Sequence, residues 1–165
     1  MKSQEVNPGL EDLRTIMSST TQNVGVLAVL SSMGETVRVC TISSFNTYSI
    51  SLDGEGFALL CLNANSLTGK YFKEQQRSSF HFLPAFAQSI AEDCSTAREF
   101  ELGTGGWGSE NGFTTFTQSK FTFDLVLTQV IESESTNILL SKIVKTTSKF
   151  IDDPILKYHN RAFIK

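Results

Sequence analysis

Hydroxyl side chains gather twice in the first half of the chain. Thr41-Ile42-Ser43-Ser44-Phe45-Asn46-Thr47-Tyr48-Ser49 alternates hydroxyls with apolar and aromatic residues. After the apolar run 57–62 comes Asn63-Ala64-Asn65-Ser66-Leu67-Thr68. Short hydroxyls and loop amides can hydrogen-bond the polar edge of a planar heterocycle. The same residue types also favour any strand end or turn, where they bond the local backbone, so spacing alone leaves both readings open. The second cluster opens a helix. Unpaired N–H groups and the positive end of the helix dipole suit a phosphate. Ser66 and Thr68 would add hydroxyls there, and Lys70 or Lys73 a counter-charge. Simple N-capping by Asn65 or Ser66 uses the same residues without a ligand.

The elements that must carry these clusters follow from periodicity. Asn7-Pro8 can start a helix, with Leu10, Leu13, Ile16 and Met17 on one face. Residues 24–30 predict a buried strand, 31–35 a turn, and 36–42 a strand that pairs back as a hairpin. Asp53-Gly54-Glu55-Gly56 marks a turn before the strand 57–62, and 66–76 predicts a helix. Residues 79–83 form a short strand. Pro84 then opens a helix with Phe86, Ile90 and Cys94 inward. The segment 103–112 holds five Gly in ten residues and predicts a mobile excursion rather than an element. Residues 121–131 and 138–147 predict a long strand pair around Glu132-Ser133-Glu134-Ser135. Short strands close the chain at 154–158 and 162–164. Six or more strands at hairpin spacing with few short helices point to a closed or nearly closed antiparallel barrel in one domain spanning 1–165.

Composition removes several function classes. The 165 residues are 40% hydrophobic, with thirteen Phe for interlayer packing. A net charge of −3 with scattered Lys and Arg gives no nucleic-acid footprint or polybasic anchor. No apolar run approaches the roughly 18 residues of a membrane helix, and the N-terminal stretch lacks an apolar signal region. Cys40, Cys61 and Cys94 show no metal-ligand spacing and suit reduced thiols in a cytoplasmic protein. No phosphate-loop or dinucleotide Gly pattern is present. His81, in an apolar strand, suits a satisfied core position. Arg161 suits a surface cation or a phosphate partner. Trp107 in the Gly-rich segment suits either a surface loop or a lid that stacks on a ring.

Several motifs occur in a fixed order. They are Thr41-x-Ser43-Ser44-Phe45-x-Thr47-x-Ser49, Cys61-Leu62-Asn63, Ser66-x-Thr68, Arg77-Ser78-Ser79-Phe80-His81-Phe82-Leu83, and Asp153-Pro154-Ile155-Leu156-x-Tyr158. This order resembles the flavin reductase-like FMN-binding proteins, whose small members are the reductase partners of two-component flavin monooxygenases. The resemblance runs from about Leu10 to Phe163. It implies a mainly β FMN-binding split barrel, antiparallel and Greek-key-like, with a few short peripheral helices. It also implies a homodimer with FMN or FAD at the subunit interface, NADH or NADPH as hydride donor, and a monooxygenase partner. By the same resemblance Thr41, Ser43, Ser44 and Phe45 would line the ring, Asn63 would contact ring or ribityl chain, and Ser66 and Thr68 would hold the phosphate. Two departures stand out. Leu52-Asp53-Gly54-Glu55-Gly56 replaces the family's Pro-Pro turn. Glu134-Ser135-Thr136-Asn137 replaces its Gly-Asp-His triplet, leaving no imidazole there unless His159 supplies one. A non-enzymatic FMN-binding or electron-carrier protein, and a flavin-free dimeric binding module, therefore stand beside the reductase.

Overall fold

The computed structural model describes residues 21–50, 55–96, 98–159 and 162–164. The expected helix after Asn7-Pro8, the turn residues Asp53 and Gly54, and Arg161 lie outside them.

Eight strands form one antiparallel sheet in the order β4-β5-β11-β10-β6-β2-β3-β7. In chain order its members are β2 (Gly25–Leu30), β3 (Thr36–Ile42), β4 (Asn46–Ile50), β5 (Gly56–Asn63), β6 (Arg77–Phe82), β7 (Glu99–Glu101), β10 (Phe121–Glu132) and β11 (Thr136–Ser148). Four strands separate β5 from β3 in the sheet. Leu60 and Leu62 of β5 nevertheless share one buried cluster with Cys40 and Ile42 of β3. The sheet therefore curls on itself, and β4 and β7 remain as edges: a split barrel. Helix α1 (Leu67–Gln75) follows β5, and α2 (Gln88–Cys94) follows a 3₁₀ turn over Ala85–Ala87. A small sheet joins β1 (Gln22–Asn23), β12 (Lys157–His159) and β13 (Ala162–Ile164), and β8 (Trp107–Glu110) and β9 (Phe113–Phe116) form a two-stranded sheet.

The two-residue period of β2 and β3 feeds two cores. Val24, Val26 and Ala28 join Val37 and Val39 in a cluster with Leu83, Ala91, Trp107, Phe116 and Leu156. Leu27 and Val29 join the other cluster, with Ala58, Leu60, Phe72, Phe80, Leu125 and Leu139. Burying each of these large apolar side chains contributes roughly 1.5–3 kcal/mol. Gly25 sits where β2 crosses Phe80. A Cβ there would meet Phe80 Cζ at 2.4 Å and the His81 carbonyl oxygen at 2.6 Å, so only glycine fits.

Several expectations need correction. β4 forms within a stretch read as loop, bulged at Tyr48, which stands outside the pairing of Thr47 with Ala58 and Ser49 with Phe57. Residues 103–112 are no mobile excursion. Asn111 (φ 53°) and Gly112 (φ 81°) make a two-residue turn that closes β8 onto β9. Trp107 is 3% exposed. It stacks on Phe116 at 4.3 Å and lies edge-on to His81 at 5.6 Å, so it is a core residue and not a lid. β7 and β9 were not anticipated. Phe86, expected inward, is exposed, while Cys94 is buried as expected.

Candidate functional site

The loop after β3 is pinned by the two residues that follow Ser43. Ser44 Oγ donates to the Cys61 carbonyl at 2.8 Å and accepts from the Cys61 N–H at 3.0 Å. Phe45 turns inward and stacks flat on Phe80, centroids 4.3 Å apart and planes 3° apart, with Phe82 in an edge contact and Phe123 tilted against it. Phe45 therefore anchors the loop from below and does not line a binding surface. Ser43, immediately before these anchors, has no hydrogen-bond partner for its side chain among the described residues.

The second hydroxyl cluster is built by capping. The Ser66 N–H donates to the Asn63 carbonyl at 2.8 Å, and Asn63 Oδ1 accepts from the Asn65 N–H at 2.9 Å. Ser66 Oγ accepts from the Gly69 N–H at 3.2 Å and so caps α1, which leaves its own hydroxyl proton free to donate. The first turn of α1 carries no acidic residue, so its positive end is uncompensated. Gly69 lets the helix sit close to β5; a Cβ there would lie 3.3 Å from Leu62 Cδ1. Thr68 is fully buried and its Oγ1 has no hydrogen-bond partner. Its hydroxyl lies beside the Cys40 thiol without a bond of good geometry, and only its backbone faces the helix end. Lys73 is committed to Glu132 at 2.8 Å, while Lys70 is exposed.

These two clusters meet at a cleft of about 410 Å³ lined by Thr41, Ser43, Ser44, Asn63 and Ser66, together with Cys40 and Cys61. A second lobe of about 400 Å³ shares Thr41, Ile42, Ser43 and Ser95 with it and adds Val24, Tyr158 and Phe163. The combined cavity has a hydroxyl-rich end at the start of α1 and an aromatic end at the C-terminal strands. Both lobes lie within the size range of small-molecule sites. The structure thus brings together five of the seven anticipated residues and leaves out the side chains of Phe45 and Thr68. Within the five, roles differ. Thr41 Oγ1 donates to the Ala91 carbonyl at 2.6 Å, tying α2 to the cleft wall, so only its lone pairs face a ligand. Ser95, Val24 and Phe163 were missed; each reaches the cleft from a distant element, and no local pattern marks them.

The β10–β11 turn that replaces Gly-Asp-His borders the polar lobe. Ser135 O accepts from the Ala64 N–H at 3.0 Å, and Thr136 pairs with Asn63. His159 lines neither lobe; its Nδ1 lies 3.3 Å from Thr21 Oγ1. His81 is fully buried beneath the β8–β9 hairpin. Its Nε2 is 2.9 Å from Thr114 Oγ1 and its Nδ1 3.1 Å from Thr122 Oγ1. Ser119 Oγ gives its proton to the Phe121 carbonyl at 2.8 Å, so Thr122 must donate to Ser119 at 3.0 Å. Thr122 then accepts from His81 Nδ1–H, and Nε2 accepts from Thr114. Every proton in this chain is placed. Burial first, and then the Lys149 cation, pull the imidazole down to about 3, so His81 is a neutral structural group. Asp124 nearby accepts from Ser79 Oγ at 2.8 Å, and burial raises its carboxyl. Among the described residues no three His, Cys, Asp or Glu converge on a metal site, and no described helix is long and apolar enough to cross a membrane.

The barrel has the flavin reductase-like fold. No protein-family model and no curated protein sequence matches the chain, but solved structures superpose over nearly its full length. One is SgcE6 of Streptomyces globisporus, an NADH:FAD oxidoreductase, at 18% identity and TM-score 0.80, covering 100% of this chain and 98% of that one. Another is BorF, the flavin reductase component of a bacterial two-component tryptophan halogenase, at 20% identity and TM-score 0.79, covering 94% and 97%. The styrene monooxygenase flavin reductase of Pseudomonas putida S12 superposes at 12% identity and TM-score 0.77, covering 92% and 95%.

Proposed function

We propose that this protein is an NAD(P)H-dependent flavin reductase that supplies reduced FMN or FAD to a partner monooxygenase. The observation that carries the proposal is the two-lobed cleft, whose polar end abuts a helix N-terminus. Its residues fit a flavin phosphate ester. Ser66 Oγ–H and the N–H groups at the start of α1 offer donors without a competing acid. Ser43 and Asn63 offer donors for the ring edge or ribityl chain, and Tyr158 and Phe163 offer an apolar wall. A bound flavin would supply the hydride acceptor. The chain's own work is then to bind, orient and exclude water, since hydride transfer asks for proximity and alignment more than for acid–base groups. The similarity to an NADH:FAD oxidoreductase and to two-component reductases supports this reading. We place the protein as a cytoplasmic homodimer, in keeping with its free thiols and the open edges of its sheet.

One observation favours a second reading, a flavin carrier without efficient NAD(P)H oxidation. Neither His81 nor His159 lines the cleft, and the β10–β11 turn has no imidazole. An anaerobic spectrum separates the two. The reductase bleaches the band of added FMN when NADH or NADPH is supplied; a retained yellow band with either donor establishes the carrier. Protein that binds no added flavin overturns both.

A further inference from the structure

Beneath the β8–β9 hairpin lies a further cavity, of about 200 Å³, that shares no lining residue with either lobe of the cleft. Strand pairing lays out its floor. Asp124 of β10 stands opposite Lys145 of β11, and Thr122 opposite Thr147; Lys149 follows two residues later. The facing wall comes from β9, with Thr114 and Phe116. The two ends differ in depth. Asp124 and Thr114 are 6% and 1% exposed, whereas Glu110, Lys145 and Lys149 are exposed at the mouth. Hydrogen bonding leaves the deep end rich in acceptors. Asp124 Oδ1 accepts from Ser79 Oγ at 2.8 Å, and Ser79 Oγ accepts in turn from the Thr114 N–H at 3.1 Å, so the carboxyl is fixed in place. Among the described residues none donates to Asp124 Oδ2. Lys145, its cross-strand neighbour, turns to Glu110 at 2.9 Å instead. The Thr114 and Thr122 hydroxyls commit their protons to His81 Nε2 and to Ser119, so each keeps only lone pairs. A buried, half-bonded carboxyl among such hydroxyls suits a donor-rich cation. Burial raises the Asp124 carboxyl, and a cation beside it favours the ionised form. At the mouth the preference reverses. Lys149 Nζ donates to the Phe116 and Thr117 carbonyls at 2.9 and 3.1 Å, which occupies two of its three protons and leaves its charge unneutralised. Two acids and two amines line the cavity, so a ligand of either sign alone meets a like charge.

We propose that this cavity binds a small α-amino acid as its zwitterion, with the ammonium on Asp124 Oδ2 and the Thr114 hydroxyl and the carboxylate on Lys149. The size agrees: the cavity falls below the usual range of drug-sized sites, and Phe113 and Phe116 give a side chain an apolar wall. An occupant bridges β9 to β10 and β11 and holds the hairpin down over His81. The site is independent of the flavin reading. It also carries its own reporter, because Trp107, the only tryptophan in the chain, stacks on Phe116 at 4.3 Å.

The test is to titrate the full chain with each common amino acid alone, read by Trp107 fluorescence and by melting temperature, with tyrosine and tryptophan read by melting temperature only. The expected result is at least one amino acid that saturates below about 10 mM and raises the melting temperature. Its carboxamide, which lacks the carboxylate, and its desamino acid, which lacks the ammonium, should each bind at least about tenfold more weakly. Asp124→Asn keeps an acceptor for Ser79, and Lys149→Met keeps the length of the side chain at the mouth. Each should weaken binding at least about tenfold, with the Trp107 emission of the unliganded protein unchanged. Saturation by no amino acid, equal binding of either analogue, or full affinity in either variant overturns the proposal. The two analogues decide the point on the wild-type chain even where a variant fails to fold.

Discussion

Replacing His81 with Gln should flatten the acid sensitivity of this barrel, by an amount the structure sets. The unfolded imidazole takes up a proton near pH 6.5, the folded one only near pH 3. Between those values the unfolded state binds more protons, so stability falls as pH falls. Each unit of separation is worth about 1.4 kcal/mol. Acidification from pH 6.5 to 4.5 should therefore cost about 2 kcal/mol through this one residue, a sizeable part of a typical 5–15 kcal/mol of native stability. His81→Gln loses hydrogen bonds to Thr114 or Thr122 and should start about 1–3 kcal/mol less stable at pH 7, yet with the acid loss from this site removed. Asp124 works in the opposite direction. Burial holds its folded carboxyl above the unfolded value, so acid relieves a penalty there, but it does so in both proteins and cancels in the comparison. Urea unfolding followed by Trp107 fluorescence reads the right place. Trp107 is the only tryptophan in the chain and lies edge-on to His81. Parallel stability–pH curves for wild type and His81→Gln between pH 6.5 and 4.5 would refute a buried neutral imidazole.

Three further perturbations address the cleft and the core. Ser43→Trp should fill the junction between the two lobes and weaken FMN binding at least about tenfold, with a near-wild-type melting curve because the Ser43 side chain has no hydrogen-bond partner among the described residues; unchanged FMN affinity by fluorescence titration would remove the ring from this strip. Ser66→Asp keeps the helix cap but sets a carboxylate at the phosphate end, so FMN should lose more affinity than riboflavin; equal losses would move the phosphate elsewhere. Gly25→Ala should destabilise by about 3 kcal/mol or more, since the new methyl overlaps both Phe80 and the His81 carbonyl; a melting temperature within a degree or two of wild type would show that β2 shifts more easily than its two cores suggest.

The strands with clean alternation were legible from sequence because burial on at least one face dictates their pattern. The span 36–42 matched β3, and the long hairpin of β10 and β11 sat where residues 121–147 placed it. The errors have separate causes. Glycine density hid β8, although Asn111-Gly112 is itself a strong two-residue hairpin signal and should have outweighed the glycines before it. β4 escaped because its residues alternate hydroxyls with large side chains, which fits an exposed edge strand as well as a loop. Phe45 looked like a ring contact by its place in a polar loop. Its flat stack on Phe80, thirty-five residues away, is a tertiary fact that no local window contains. The polar lobe was readable since its residues are near neighbours in sequence. The aromatic lobe was not, because Val24 and Phe163 meet only after the small three-stranded sheet has formed.

That small sheet has an energetic consequence. β1, β12 and β13 are two or three residues long, too short to persist without docking on the barrel. Its tethers include the Val24 N–H to the Leu156 carbonyl and the Leu156 N–H to the Leu83 carbonyl. Tyr158 and Phe163 thus belong to a unit that can open while the eight-stranded sheet stays closed. Amide exchange should be fastest there in the free protein and slow sharply when the cleft is filled. Any ligand that uses the aromatic wall must then stabilise a partly open segment, so its measured affinity is the intrinsic one reduced by the fraction of time that wall is absent.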